Sequence, residues 1–229
     1  MISKSYRYLT TNSRWTDTQI KFQGYIVEDK NLKTTIFNTP IISSFLRFIS
    51  NSIMRLIGWH VEGKLPDLPK YIIIGAPHTS NWDFLLFLGV IFNLKVDVRF
   101  MGKAELFRNP LFGWFFYWCG GIPVDRKKST GLVEQMVEAC IRSEKFILTI
   151  APEGTRHGVK EWKRGFYHIA KGSGIPLVMA VVDAKKKTMH VGQIFHLTED
   201  MEADIKTVQG YFDGMPGISP NKKYITLKD

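Results

Sequence analysis

A histidine and an aspartate, His78 and Asp83, bracket the hexapeptide His78-Thr79-Ser80-Asn81-Trp82-Asp83. A carboxylate at that position can accept the N–H of one imidazole nitrogen and fix the ring's tautomer. The other nitrogen is then free to take a proton from a hydroxyl, and no serine or cysteine nucleophile is needed. On one regular α-helix the two side chains would stand about 140° apart. They meet only if His78 lies in a loop and Asp83 in the first turn of a helix. The flanks fit: the apolar run 71–74 and the turn-prone Gly75-Ala76-Pro77 come before, and the apolar run 84–90 comes after. Ser80 and Asp83 are also spaced as a helix-starting capping box. The plainer alternative is a loop histidine followed by a capping aspartate.

Further blocks follow in order. They are Gly102-Lys103-Ala104-Glu105-Leu106-Phe107, Leu111-Phe112-Gly113-Trp114 with Gly120-Gly121-Ile122-Pro123-Val124-Asp125-Arg126, then Ile150-Ala151-Pro152-Glu153-Gly154-Thr155-Arg156, and Gly174-Ile175-Pro176-Leu177-Val178. Together with the hexapeptide, and over residues 53–189, this series resembles the glycerolipid acyltransferases, best known as 1-acylglycerol-3-phosphate acyltransferases. The resemblance implies transfer of a fatty acyl group from an acyl thioester to a lysolipid hydroxyl, with no acyl-enzyme. His78 would be the general base and Asp83 its orienting partner. Glu153, Gly154, Thr155 and Arg156 would bind the acceptor head group. The co-substrate is expected to be acyl-CoA or an acyl carrier protein thioester, and no cofactor or metal is expected.

The residues support parts of that assignment on their own chemistry. Arg156 offers a planar two-pronged donor for a phosphate, which Thr155 and the Gly154 N–H can supplement. Glu153 is unexpected beside an anion; it would hold Arg156 or accept from a substrate hydroxyl. Lys103 and Arg126 are further phosphate candidates or ordinary surface cations, and Lys163-Arg164-Gly165 could extend the basic face. The aromatic stretch 112–118 could line an acyl groove, dip into a bilayer or pack in the core. Two departures from the common family pattern, Pro77 before His78 and Asn81-Trp82 after it, leave the acceptor open among lysophosphatidate, another lysophospholipid and a non-phosphate lipid. A catalytically silent lipid-binding homologue and a thioesterase or lipid hydrolase are the competing classes.

Composition narrows the setting. The chain of 229 residues carries a net charge of +10 with 13% aromatic residues, which suits an anionic lipid surface. It displays no nucleic-acid-binding motif and no zinc-type cysteine pairs. Cys119 and Cys140 lie in apolar segments and read as buried thiols in a reducing compartment. Residues 1–17 lack the apolar core of a signal peptide. No run reaches the length of a spanning helix. Residues 40–57 instead form an amphipathic pattern. Ile41, Phe45, Phe48, Ile49, Ile53 and Leu56 lie on one side, and Ser43, Ser44, Arg47, Asn51 and Arg55 largely on the other. That pattern fits an interfacial helix or a helix packed on the core. The expected location is the cytoplasmic face of a membrane, held peripherally.

The elements that must position these groups alternate. Strands are expected at 59–63, 71–75, 97–101, 122–124, 146–151 and 176–183, with short extended pieces at 188–191 and 194–197 and a doubtful one at 21–27. Helices are expected at 81–94, 110–119, 130–142, 165–171 and 200–211, and from Thr39-Pro40 onward. This order predicts an α/β fold with a central, largely parallel sheet flanked by helices. Residues 1–58 would form an N-terminal segment with the amphipathic helix, and 59–229 an acyltransferase domain. Ligands in such sheets bind beyond the carboxyl ends of the strands, so the loops after 71–75, 97–101 and 146–151 should converge.

Overall fold

The computed structural model describes residues 35–124, 131–156, 159 and 161–219. The doubtful strand at 21–27 and Arg126 lie outside them. The chain runs α1 (Ile42–Ile57), β1 (His60–Gly63), β2 (Lys70–Ala76), α2 (Trp82–Leu94), β3 (Arg99–Lys103), α3 (Ala104–Phe107), α4 (Gly113–Trp118), β4 (Gly121–Val124), α5 (Leu132–Arg142), β5 (Phe146–Ile150), α6 (Gly165–Ser173), β6 (Leu177–Asp183), β7 (Thr188–Phe195) and α7 (Met201–Gly210).

Among the described residues the strands form one seven-stranded sheet in the order β1-β7-β6-β2-β5-β3-β4. Only the β6–β7 pair is antiparallel; the other neighbours are parallel. Both faces are covered. Ile72 and Ile74 of β2 and Leu177 and Met179 of β6 point to a core closed by Met136 and Cys140 of α5, Phe166 and Ile169 of α6 and Val208 of α7. The alternate residues Tyr71, Ile73, Val178 and Ala180 point to the opposite core, closed by Leu86, Val90 and Ile91 of α2 and Met54 of α1. A two-residue side-chain period with apolar groups at every position is what a strand buried on both faces requires. The expected α/β architecture is thus the observed one.

Several boundaries differ from the sequence expectation. Helix α1 does not start at Thr39-Pro40. Thr39 donates its hydroxyl to the Thr35 carbonyl, and the helix begins after Ile41, whose φ is 66°. The helix expected at 110–119 is shorter, because the Asn109–Phe112 turn takes up its first residues, and the short α3 precedes it. The extended pieces at 188–191 and 194–197 are one strand. Gly192 interrupts the pattern with φ 110° at a register shift on β6, and a Cβ there would stand 2.1 Å from the Lys64 carbonyl oxygen.

Helix α1 lies across α2. Gly89 sits under Met54 and Ser50, and the Ser50 hydroxyl donates to the Gly89 carbonyl at 3.3 Å. The face turned to α2 therefore includes Ser50 and Met54, while Phe45, Phe48, Ile53 and Leu56 face outward. Thr35 and Asn38 tie the approach to α1 to Asp97, before β3, at 2.7 and 2.8 Å.

Gly192→Ala should destabilise the domain by about 2 kcal/mol or more, because a left-handed residue would gain a side chain against backbone. Gly210→Ala, with nothing within 4 Å, should stay within about 1 kcal/mol. Urea unfolding of the two variants measures the contrast.

Candidate functional site

Strands β2, β5 and β3 are parallel neighbours, so their carboxyl ends share one edge of the sheet. His78 follows β2, Glu153 to Arg156 follow β5, and Lys103 closes β3. The convergence expected from the sequence is present, and one bond joins two of the loops directly: the His78 backbone N–H donates to Glu153 Oε1 at 2.9 Å.

His78 stands in the loop and Asp83 in the first turn of α2. Their Nδ1 and Oδ2 atoms are 2.8 Å apart. The same Oδ2 accepts the backbone N–H groups of Thr79 at 2.7 Å and Ser80 at 2.8 Å. The capping box is therefore half formed. The carboxylate reaches back to Ser80, but the Ser80 hydroxyl accepts from the Trp82 N–H at 3.2 Å rather than from Asp83, and Asn81 is the N-cap residue. An ionised carboxylate only accepts, so Nδ1 carries the proton and Nε2 is left as an acceptor. The imidazole is a third exposed, and the Asp83 side chain is 12% exposed.

Glu153 departs from expectation. The expected hold on Arg156 is not made. Instead Glu153 is 4% exposed, its Oε1 holds the His78 main chain, and its Oε2 is buried with no hydrogen-bond partner among the described residues. Burial pushes its carboxyl up from 4.5 to about 7, partly offset by the His78 N–H. Gly154 adopts φ 61°, a left-handed turn that a side chain would oppose, and the Lys163 stem packs over it. Arg156 is exposed on the same loop. Lys163 is thereby brought to the loop 153–156, whereas Arg164 pairs with Glu202 of α7 at 2.8 Å. Lys103 is exposed and lies 3.5 Å from Glu105. Among the described residues no group of histidine, cysteine or acidic side chains is arranged to hold a metal ion.

One contribution was not visible in the sequence. The segment after α7 returns across the His78 loop. Gly217 lies so close that a Cβ would stand 2.4 Å from Thr79 Oγ1, and the Ser219 N–H donates to that oxygen at 3.1 Å. Thr79 is thus held by its hydroxyl from one side while its N–H holds Asp83 on the other. The only sequence trace was an unremarkable Gly-Ile-Ser after the last helix.

The arrangement provides a base with a fixed tautomer beside a cationic loop at the edge of a sheet. Residues 59–183, more than half the chain, match the profile of the acyltransferase family, and the chain belongs to that family. It is 28% identical over 155 residues to the 1-acyl-sn-glycerol-3-phosphate acyltransferase of Streptococcus pneumoniae, covering 64% of this chain and 56% of the relative. It is 26% identical over 148 residues to the enzyme of the same name from Escherichia coli, covering 61% and 59%. The matches thus span under two thirds of the length of these two relatives. The crystal structure of the 1-acyl-sn-glycerophosphate acyltransferase PlsC from Thermotoga maritima shares the fold, with a TM-score of 0.57, 18% identity, and coverage of 74% of this chain and 76% of that one.

The raised Glu153 carboxyl makes a signed prediction. An acid whose folded pKa exceeds its unfolded one adds nothing to destabilise the fold at low pH, and stability is lost as pH rises from about 4.5 through about 7. At full development that loss is about 3 kcal/mol. Glu153→Gln keeps an oxygen for the His78 N–H and cannot ionise, so its stability should stay flatter between pH 5 and 8. Denaturant unfolding of both proteins across that range tests it; parallel curves would refute the buried-acid account.

Proposed function

We propose that the protein is a membrane-associated O-acyltransferase that moves a fatty acyl group from an acyl thioester to the hydroxyl of a lysolipid, in the first instance 1-acylglycerol-3-phosphate. The observation that carries this reading is the His78–Asp83 pair with Nδ1 committed to the carboxylate. The relatives' names supply the acceptor class.

In this reaction Nε2 of His78 takes the proton of the acceptor hydroxyl as its oxygen attacks the thioester carbonyl carbon. A C–O bond forms and a tetrahedral intermediate results. Its collapse breaks the C–S bond, and the departing thiolate recovers the proton from the imidazolium. Asp83 holds the ring in place and balances its charge while protonated. Arg156 and Lys163 supply cations for the acceptor phosphate, whereas the Gly154 N–H expected to join them is spent on the Ala151 carbonyl at 3.1 Å. The donor is coenzyme A or acyl carrier protein thioester. The outward apolar face of α1 and the net charge of +10 support peripheral attachment to an anionic membrane. No helix among the described residues is long and apolar enough to cross a membrane. The free, buried Cys119 and Cys140 suit the cytoplasmic leaflet.

His78→Ala should cut turnover by about 10²–10⁴-fold with the fold intact. Assay of acyl transfer from labelled acyl thioester to lysophosphatidate measures it, and a folded variant with near-normal turnover would overturn the mechanism. Product analysis without any lysolipid separates transfer from hydrolysis.

Arg156→Ala should raise the KM for a phosphate-bearing acceptor strongly and that for the donor little. Arg156→Lys should recover only part of the loss, because an ammonium lacks the planar fork. Unchanged acceptor kinetics would remove Arg156 from the head-group role.

A further inference from the structure

Among the described residues, two exposed apolar surfaces adjoin. One is the outward face of α1, where Phe48 is 71% and Leu56 86% exposed. The other is the turn between α3 and α4, where Leu111 is 71%, Phe112 59% and Trp114 62% exposed. The two are linked through Trp118. Trp114 stacks on Trp118 with ring centroids 6.1 Å apart. The Trp118 indole N–H donates to Thr39 Oγ1 at 3.3 Å, and the Trp118 carbonyl accepts from Ile36 at 2.8 Å. Thr39 stands just before Ile41, where the apolar face of α1 begins.

The turn is built in a way that a water-facing loop does not need. Asn109 Oδ1 accepts the backbone N–H groups of both Leu111 at 2.9 Å and Phe112 at 3.2 Å. The Asn109 carbonyl accepts Gly113 at 2.8 Å. The Trp114 indole N–H donates to the Leu111 carbonyl at 3.0 Å. The main-chain N–H groups of Leu111, Phe112 and Gly113 and the Trp114 indole N–H are therefore satisfied within the turn. A tip hydrogen-bonded to water would have to give up those bonds on entering an apolar layer, at a cost of a few kcal/mol per group; this one does not. The mount is also stiff. A Cβ on Gly113 would stand 2.2 Å from the Phe107 carbonyl oxygen, and the Phe107 ring fills the space over Gly102 and Gly121 at the ends of β3 and β4.

We propose that the turn 109–114 is a second membrane-insertion point, continuous with α1, that seats an anionic lipid surface and turns the carboxyl-end edge of the sheet toward it. The proposal rests on the membrane reading given above. Charge agrees with it, since the exposed Lys103 and Arg108 flank the single exposed Glu105 of α3, a local surplus of one cation in a chain of net charge +10. Tryptophan is also the side chain that favours the boundary between head groups and acyl chains.

The test is co-sedimentation of the full chain with vesicles of phosphatidylglycerol and phosphatidylethanolamine. Phe112→Ser combined with Trp114→Ser should lower the partition coefficient at least tenfold, as should Phe48→Ser combined with Leu56→Ser on α1, with thermal melting preserved in both. Brominated lipid should quench less tryptophan fluorescence in Trp114→Phe than in the unaltered chain; this single conservative change keeps the test open if the double variant melts early. A folded Phe112→Ser/Trp114→Ser protein that binds vesicles normally, while the α1 pair does not, overturns the second insertion point and leaves peripheral attachment standing. If neither pair changes binding, both insertion points fall; an unaltered chain that does not sediment with the vesicles removes the membrane reading itself. Normal vesicle binding with lost affinity for acyl carrier protein would reassign the turn to a protein partner and also overturns the proposal.

Discussion

One carboxylate oxygen organises the centre of this molecule. Asp83 Oδ2 receives three donors at once: the His78 ring and the main-chain N–H groups of Thr79 and Ser80. These three come from consecutive residues, so the carboxylate fixes the course of the loop as well as the angle of the imidazole. Hydrogen bonds to an ionised acceptor are roughly twice as strong as neutral ones. Loss of that charge would weaken three contacts together. The stability of the loop and the preparation of the base are consequently one property of one residue.

The rest of the fold serves this arrangement. The parallel pairing of β2 with β5 brings the Glu153 loop beside the His78 loop, and β3 adds a third. Helix α2 must start where β2 ends and must also be clamped along its length. It is clamped by the sheet on one side and by α1, through the contact at Gly89, on the other. The buried Glu153 then holds the loop from behind through the His78 N–H. A side chain that reads as a substrate contact from its neighbours in the motif is therefore a support for the backbone.

Much of this was legible in the sequence because it depends on local patterns. The continuous apolar runs of β2 and β6, the stripe along α5 and the capping signal at Ser80 and Asp83 follow from side-chain periodicity, and these elements fall where expected. The His78–Asp83 meeting was legible because only a loop-to-helix placement allows it. What escaped depends on contacts between distant segments. Strand β7 read as two pieces because Gly192 looks like a breaker, while its role is set by Lys64 on another part of the chain. Helix α1 read as amphipathic in either of two senses, and only the position of Gly89 decides which face meets α2. The Glu153 contact and the Thr79 contact join residues 75 and 140 positions apart. No local pattern encodes such separations.

The return of residues 215–219 over Thr79 has a consequence for the order of synthesis. Strand β2 and the His78 loop leave the ribosome well before the segment that covers them. Non-local contacts of this kind form late, because loop-closure entropy must be overcome before they contribute. Until Ser219 has been made, the Thr79 hydroxyl lacks that partner and the slot beside it stays open. A nascent chain can thus assemble its sheet and still hold an incomplete loop at its centre. The far end of the domain acts as the final fastening, and the site is finished only when nearly all of the structure around it is already in place.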